Sequence, residues 1–200
     1  MITSRAAATA EDLEYATEIM TTAFASDPVW GGWAFPIENS VARSEARRRY
    51  WRFNLASAMR YPWVRLITGA ASAWVPPNGA ELTDAEETEV EPLLRELVGE
   101  HTDAFLECLD LFESNHPREE PHYYLSLLGT HDDYKGQGRG MQLLSENLTL
   151  IDREAMPSYL ESTNPANITR YESVGFRRVG SFTLPGGGPT VDTMWRDAKR

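Results

Sequence analysis

The sequence predicts an α/β fold of the α+β kind: one domain built on a mixed central sheet flanked by helices. Three observations predict it. Short extended runs rich in aromatic and β-branched residues are interspersed with longer segments of helical apolar spacing along the 200 residues. The apolar run His122-Tyr-Tyr-Leu-Ser-Leu-Leu-Gly-Thr130 leads through a polar, glycine-rich stretch straight into an amphipathic helix. Too few elements follow that helix to complete a doubly wound parallel sheet, and the last two extended runs are joined as a hairpin.

From the N-terminus, Thr9-Ala-Glu-Asp12 has the pattern of a capping box, and Leu13, Ala16, Ile19, Met20, Ala23 and Phe24 follow at helical spacing. Ser26-Asp27-Pro28 ends this helix. Trp30-Gly-Gly-Trp33-Ala-Phe35-Pro36 reads as an aromatic loop with glycine hinges. A second helix is expected over about 40–59; its five arginines (43, 47, 48, 49 and 52) read as a solvated face rather than a binding patch. Residues 64–68 and 71–75 read as short strands around a glycine turn. After Pro76-Pro77-Asn78-Gly79, Thr83 opens an acidic helix that breaks near Gly99 and continues to Phe112. His116-Pro117 and Pro121 mark a connection into the 122–130 strand. A polar loop, 131–137, precedes a helix beginning at Gly138, with Met141, Leu144, Leu148 and Ile151 on one face. Pro157 precedes a strand at 159–162. Thr163-Asn-Pro-Ala-Asn167 turns into a short helix through Tyr171, with Gly175 placed as its C-terminal cap. The runs 176–184 and 190–195, joined by Pro185-Gly-Gly-Gly-Pro189, form the hairpin, and Arg196 to Arg200 is expected to fray.

Composition narrows the function. The net charge of -11 disfavours nucleic acid and anionic membranes and suits cationic partners such as amines. No apolar run approaches the roughly 20 residues needed to cross a bilayer, and the N-terminal stretch lacks a signal-peptide core, so a cytoplasmic protein is expected. A single cysteine, Cys108, allows no disulfide within the chain and argues against a cysteine metal site; its helical apolar surroundings read as a buried thiol. No metal is expected. Five of the six tryptophans lie in the first half, where they can build core or line a pocket for a flat ligand.

The stretch Lys135-Gly136-Gln137-Gly138-Arg139-Gly140 lies between a strand and a helix. A helix start offers about four unpaired N–H groups and a positive dipole end, and glycines let an anion approach them. Lys135 and Arg139 add charge at the mouth. The phosphate-cradling Gly-x-x-x-x-Gly-Lys-Ser/Thr pattern is absent. A dinucleotide site stays open, because Glu161 falls about where that fingerprint places its acid, although the spacing here is Gly-x-Gly-x-Gly and the loop comes two-thirds of the way along the chain.

The segment from Leu128 to Leu144 resembles the acetyl-CoA motif of the GNAT acetyltransferases, Gln/Arg-x-x-Gly-x-Gly/Ala. Lys135, Gly138 and Gly140 take its positions, with lysine in place of the usual glutamine or arginine and Asp132 where a proline is common. Leu160-Glu-Ser-Thr-Asn-Pro-Ala-Asn167, Tyr171-Glu172 and Gly175-Phe176 resemble the family's distal motif, most like its puromycin N-acetyltransferase-like members. Glu120-Pro121-His-Tyr-Tyr-Leu and Ala25-Ser-Asp-Pro28 fit the same group. The match covers roughly residues 118–178; the first hundred residues match only in outline.

The resemblance implies a GNAT fold with the mixed sheet splayed at the acetyl-CoA strand, over a single domain 1–200. Its acceptor-side half would be 1–117, with a helical insertion at about 80–116, and its acetyl-CoA and catalytic half 118–196. It implies an N-acetyltransferase using acetyl-CoA as co-substrate, acting on a small-molecule amine as a monomer or homodimer, by direct attack. The backbone of Leu128, Gly129 and Thr130 would pair with the pantetheine arm as an added strand, with one N–H there stabilising the oxyanion. Residues 135–140, Gln137 among them, would hold the pyrophosphate. Asn164 or Asn167 would bond the arm, unless either is an Asx-turn or helix cap. Tyr171 takes the general-acid position. Glu161 is the foremost candidate for base or amine-binding residue, with His122 behind it and Glu120 and Ser126 as lesser candidates. Trp30, Trp33, Phe35, Tyr124 and His122 are expected around the acceptor, or in the core. A peptide or protein acceptor and a non-catalytic acyl-CoA-binding module are the alternatives; an insertion covering the site disfavours the first, and Tyr171 with the intact loop the second.

Overall fold

The computed structural model describes residues 3–199. Met1 and Ile2, and Arg200 of the expected frayed tail, lie outside the described residues.

Seven strands form one sheet in the order β1-β2-β3-β4-β5-β7-β6 among the described residues. They are β1 (Arg5–Ala6), β2 (Val64–Ile67), β3 (Ala70–Val75), β4 (Tyr123–Thr130), β5 (Ser158–Ser162), β6 (Arg177–Thr183) and β7 (Thr190–Arg196). β4 and β5 run parallel, and the other neighbouring pairs are antiparallel. Strand β1 has no counterpart in the sequence reading: two residues carry no period, and pairing with Arg65 and Leu66 makes them a strand.

Among the described residues six α-helices cover the sheet: α1 (Ala10–Ala23), α2 (Ser40–Ala58), α3 (Asp84–Val98), α4 (Thr102–Asn115), α5 (Arg139–Arg153) and α6 (Ile168–Glu172). The Thr9–Asp12 capping box starts α1, and a Thr83–Glu86 box starts α3. On one face α1 to α4 bury Ile19, Met20, Tyr50, Trp51, Leu94 and Phe105 against the sheet. On the other, Leu144, Leu148 and Ile151 of α5 pack on Trp74, Leu125 and Leu160. Each such fully buried side chain contributes about 1.5–3 kcal/mol. Cys108 is buried, and burial pushes its thiol up to about 12.

Three local expectations are corrected. The aromatic stretch after α1 is a π-helical turn (Pro28–Trp33), closed by Ala34 N donating to Val29 O and capped by the Asp27 carboxylate. The arginines of α2 are a solvated face only in part: they stay half-exposed, apart from Arg47, yet tie the helix to its neighbours. Arg47 is buried and donates to the carbonyls of Thr21 and Gly31, Arg48 and Arg52 grip Glu14 of α1, and Arg49 grips Glu96 of α3. Arg196 is the last residue of β7 and does not fray; it is 2% exposed and makes two hydrogen bonds of 2.7 and 2.8 Å to Asp152.

Candidate functional site

The site begins with an irregularity in β4. Ala73 of β3 pairs with Leu127, but the next residue, Trp74, pairs with Leu125. Ser126 is therefore an extra residue, a β-bulge that bends the strand and resets which side chains face which side. On the opposite edge β4 pairs with β5 only from Tyr123↔Ser158 to Leu125↔Leu160. Beyond that point the two strands part, and the 126–130 edge makes no ladder to β5 among the described residues. Buried backbone groups are paired in nearly all proteins, so an unpaired stretch of central strand is a docking edge for something extended.

The 126–130 edge ends beside the start of α5, where Gly140 sits against Thr130. Gly138 caps that helix in the left-handed region (φ 73°, ψ 8°), and Gly136 also has a positive φ of 77°. The amides of Gly136, Gly138, Arg139 and Gly140 make no backbone hydrogen bond among the described residues, and no side chain caps the helix. Gly140 allows close approach: a Cβ there would lie 2.6 Å from Thr130 Oγ1, so its absence lets the helix start sit against the end of β4. Lys135 Nζ lies 2.6 Å from Asp132 Oδ1 in an exposed pair, Gln137 donates to the Asp133 carbonyl, and Arg139 Nε is buried without a partner among the described residues.

Where β4 and β5 part, a cleft of about 920 Å3 opens between the sheet and α1 to α4. The α3–α4 segment forms part of its wall through Val90, Leu106 and Glu113. Glu161 follows directly on the last β4–β5 pair, so it stands at the head of the gap. Tyr171 of α6 is half-buried on the cleft wall, and its ring lies against Phe176. Burial, reinforced by the Asp27 carboxylate, pushes its phenol up to about 12. Asp27 accepts from the amides of Val29 and Trp30 and from Thr163 Oγ1 at 2.8 Å, tying the turn after α1 to the end of β5; burial raises its carboxyl above the ordinary range.

Of the expected acceptor-side residues, Trp30, Tyr124 and His122 line the cleft. Burial, then the Glu161 and Glu81 carboxylates, raise the Tyr124 phenol well above its usual value. Trp33 and Phe35 do not line it. The wide turn directs Trp30 onto Tyr50, Trp51 and Phe112, while Trp33 packs on His101 and Phe35 is wholly buried against Tyr50 and Phe105. Of the two asparagines, Asn164 accepts from Ala166 N as a cap and stays off the cleft, whereas Asn167 lines it and also accepts from Arg170.

Three further residues belong to the cleft. Glu81, in the loop after β3, accepts from Ser126 Oγ; enclosure by the protein raises its carboxyl, with Glu161 adding to the effect. His116, read in the sequence only as part of a connection, lies 3.8 Å by Nδ1 from Glu161 Oε1 and 3.0 Å by Nε2 from His122 Nε2. Asp27, read in the sequence as a helix stop and as part of the family-like stretch Ala25–Pro28 but not as a site residue, sits within electrostatic reach of Tyr171. The His-Pro dipeptide was the one sequence signal for His116, and nothing local marks Glu81.

No protein-family model matches the chain. Among solved structures it is similar to a protein described as histone acetyltransferase HPA2 and related acetyltransferase from Corynebacterium glutamicum ATCC 13032, at 19% identity over 99% of this chain and 97% of that one, with a TM-score of 0.68. It is also similar to an agmatine N-acetyltransferase, at 16% identity over 97% and 98% with a TM-score of 0.63. A third, described as an acetyltransferase, matches at 17% identity over 98% and 99% with a TM-score of 0.51. Along nearly its whole length, the chain has the mixed α/β fold seen in solved acetyltransferases.

Proposed function

We propose that the chain is an N-acetyltransferase that moves the acetyl group of acetyl-CoA to the amine of a small molecule. One observation carries the reading: the β4 edge past Leu125, which makes no ladder to β5 among the described residues, lines the same cleft as Tyr171 at 126–128, and its far end at Thr130 lies against the start of α5, where the amides make no backbone hydrogen bond. These features fit a long ligand with amides along its arm and a diphosphate at one end. The amides of Gly136, Gly138, Arg139 and Gly140 would hold the diphosphate, with Lys135 and Arg139 adding charge. Leu128, Gly129 and Thr130 would pair by backbone with the arm, and Asn167 would bond it from the far side. When bound, acetyl-CoA supplies an acyl carbon activated toward amines and a thiolate leaving group. Tyr171 holds the proton for that thiolate, and its high pKa keeps it protonated at neutral pH.

The acceptor's place is the cleft. Its wall combines aromatic rings, from Trp30 and Tyr124, with the carboxylates of Glu81, Glu113 and Glu161. That favours an amine carrying positive charge on an apolar or aromatic body. The fold neighbour named for agmatine makes that small cation a sensible probe. The α3–α4 wall narrows the access a peptide would need.

Thiol release from acetyl-CoA with agmatine, puromycin and benzylamine tests this. Acceptor-dependent release is expected with at least one, and Tyr171→Phe should lower kcat by about 10²-fold or more with CoA affinity unchanged. A wild-type protein that binds CoA but releases no thiol with any amine would instead be a binding module.

A further inference from the structure

Glu161 has a side chain only 2% exposed, and its Oε1 has no hydrogen-bond partner among the described residues. Leaving a buried acceptor open costs about 1–3 kcal/mol, more for a charge. The titratable nitrogen facing it is His116 Nδ1, at 3.8 Å, and both residues line the cleft.

The hydrogen-bond chain behind His116 determines where its proton sits. A carbonyl can only accept, so His122 Nδ1, 2.7 Å from the Glu120 carbonyl, carries a hydrogen. Burial lowers the His122 pKa, which keeps the ring neutral and its Nε2 bare. A bare Nε2 needs a donor, and His116 Nε2 stands 3.0 Å away. A neutral His116 therefore keeps its one hydrogen on Nε2, and its Nδ1 lone pair points toward Glu161. The ring stands across those of Tyr124 and Tyr159, with centroids 4.7 and 4.9 Å away and interplanar angles of 86° and 68°, so it cannot readily turn.

We infer that His116 is the base that takes the proton of the acceptor ammonium, that Glu161 holds the resulting imidazolium, and that His122 is a positioning residue that fixes the tautomer. This rests on the N-acetyltransferase reading. An ammonium N–H gives its proton to His116 Nδ1. The neutral amine then forms the N–C bond to the acyl carbon as the C–S bond breaks. The thiolate takes the Tyr171 proton, and the second proton shed by the nitrogen restores Tyr171. The sum is ammonium plus thioester to amide plus thiol and one proton, which leaves from His116. The groups facing His116 come from several elements: Glu161 and Tyr159 on β5, Tyr124 on β4, Glu81 after β3, and His122 in the connection before β4, itself within electrostatic reach of Arg118.

Two measurements test the assignment. Imidazole ¹⁵N NMR of the wild-type protein at neutral pH should show His116 protonated at Nε2 and His122 at Nδ1; a neutral His116 protonated at Nδ1 overturns the assignment. Using whichever of agmatine, puromycin or benzylamine turns over fastest, His116→Gln should lower kcat/KM at pH 7 by about 10²–10⁴-fold. Glutamine keeps a donor for His122, so folding and CoA affinity should hold. His116→Ala should recover at least about tenfold with added imidazole, by the same general-base reasoning. Glu161→Gln should lower kcat/KM at pH 7 by about tenfold, because the imidazolium formed on His116 loses its counter-charge. Wild-type rates in His116→Gln overturn the base role. No turnover by the wild type with any amine overturns the transferase reading and the base role with it, while the tautomer result is read independently.

Discussion

Gly138 offers the sharpest separation of fold from binding. Its φ of 73° lies in the left-handed region, and a Cβ there would meet nothing within 4 Å. Replacement by alanine therefore carries no clash, only the backbone penalty of about 1–2 kcal/mol. For a chain of this length that lowers Tm by roughly 2–8 °C. Asparagine tolerates this conformation, so Gly138→Asn should lose little stability. Binding should respond differently. A side chain at 138 stands over amides expected to hold the diphosphate, and each charge-assisted hydrogen bond lost costs about 1.5–3 kcal/mol. Gly138→Asn should thus weaken CoA binding about tenfold or more while leaving Tm nearly unchanged, since 1.4 kcal/mol is a factor of ten. Gly138→Glu, which adds a negative charge, should abolish measurable binding. Calorimetry with CoA, beside scanning calorimetry of the free protein, reads both quantities. If the glutamate variant binds CoA within about threefold of wild type, an allowance well inside one hydrogen bond, the loop is a solvent turn and the placement of the diphosphate is wrong.

Other expectations follow from buried charges. Asp152→Ala should destabilise the protein by about 2–3 kcal/mol in urea titration, because Arg196 would keep a buried charge with only the Val174 carbonyl to accept from it; Arg196→Met should cost less. Glu146 accepts from the amides of Thr3 and Ser4; partial burial opposes its ionisation, but those bonds and Gln142 hold its pKa down to about 2, from an ordinary 4.5. A depressed acid stabilises above its unfolded pKa, so this contribution, about 1–2 kcal/mol after solvent screening, should be lost as pH falls from about 4.5 to 2. Glu146→Gln should flatten that limb in denaturant titrations across pH. Asp27→Asn keeps an acceptor for Val29 and Trp30 but removes a buried negative charge near Tyr171. The Tyr171 pKa should fall, moving the alkaline limit of kcat to lower pH, whereas Asp27→Ala should cost about 1–3 kcal/mol of stability.

How far the sequence could be read depended on whether the information was local. The capping boxes at Thr9 and Thr83, the apolar face of α5 and the β6–β7 hairpin all lie within a few neighbouring residues, and each element was legible from them. The glycine loop was legible because strand, loop and helix follow one another. What escaped depends on partners distant in the chain. Glu81 matters through Ser126, His116 through Glu161, and Asp27 through Thr163 and Tyr171. Trp33 and Phe35 went astray for another reason. The stretch winds as a π-helical turn, so aromatics that look equivalent in sequence face different ways. The arginines of α2 looked like a solvated face because their acidic mates belong to α1 and α3.

The extra residue in β4 has an implication beyond bending. Deleting Ser126 would put Leu127 next to Leu125 with no surplus, and the β3–β4 ladder could close without interruption. A tidier sheet would follow, with β4 free to zip onto β5 past Leu160 and no slot left between them. The opening thus depends on chain length at one position more than on the identity of the side chain there. Random point changes at 126 should be comparatively well tolerated, whereas loss of a single codon could leave a well-folded protein with its central opening sealed.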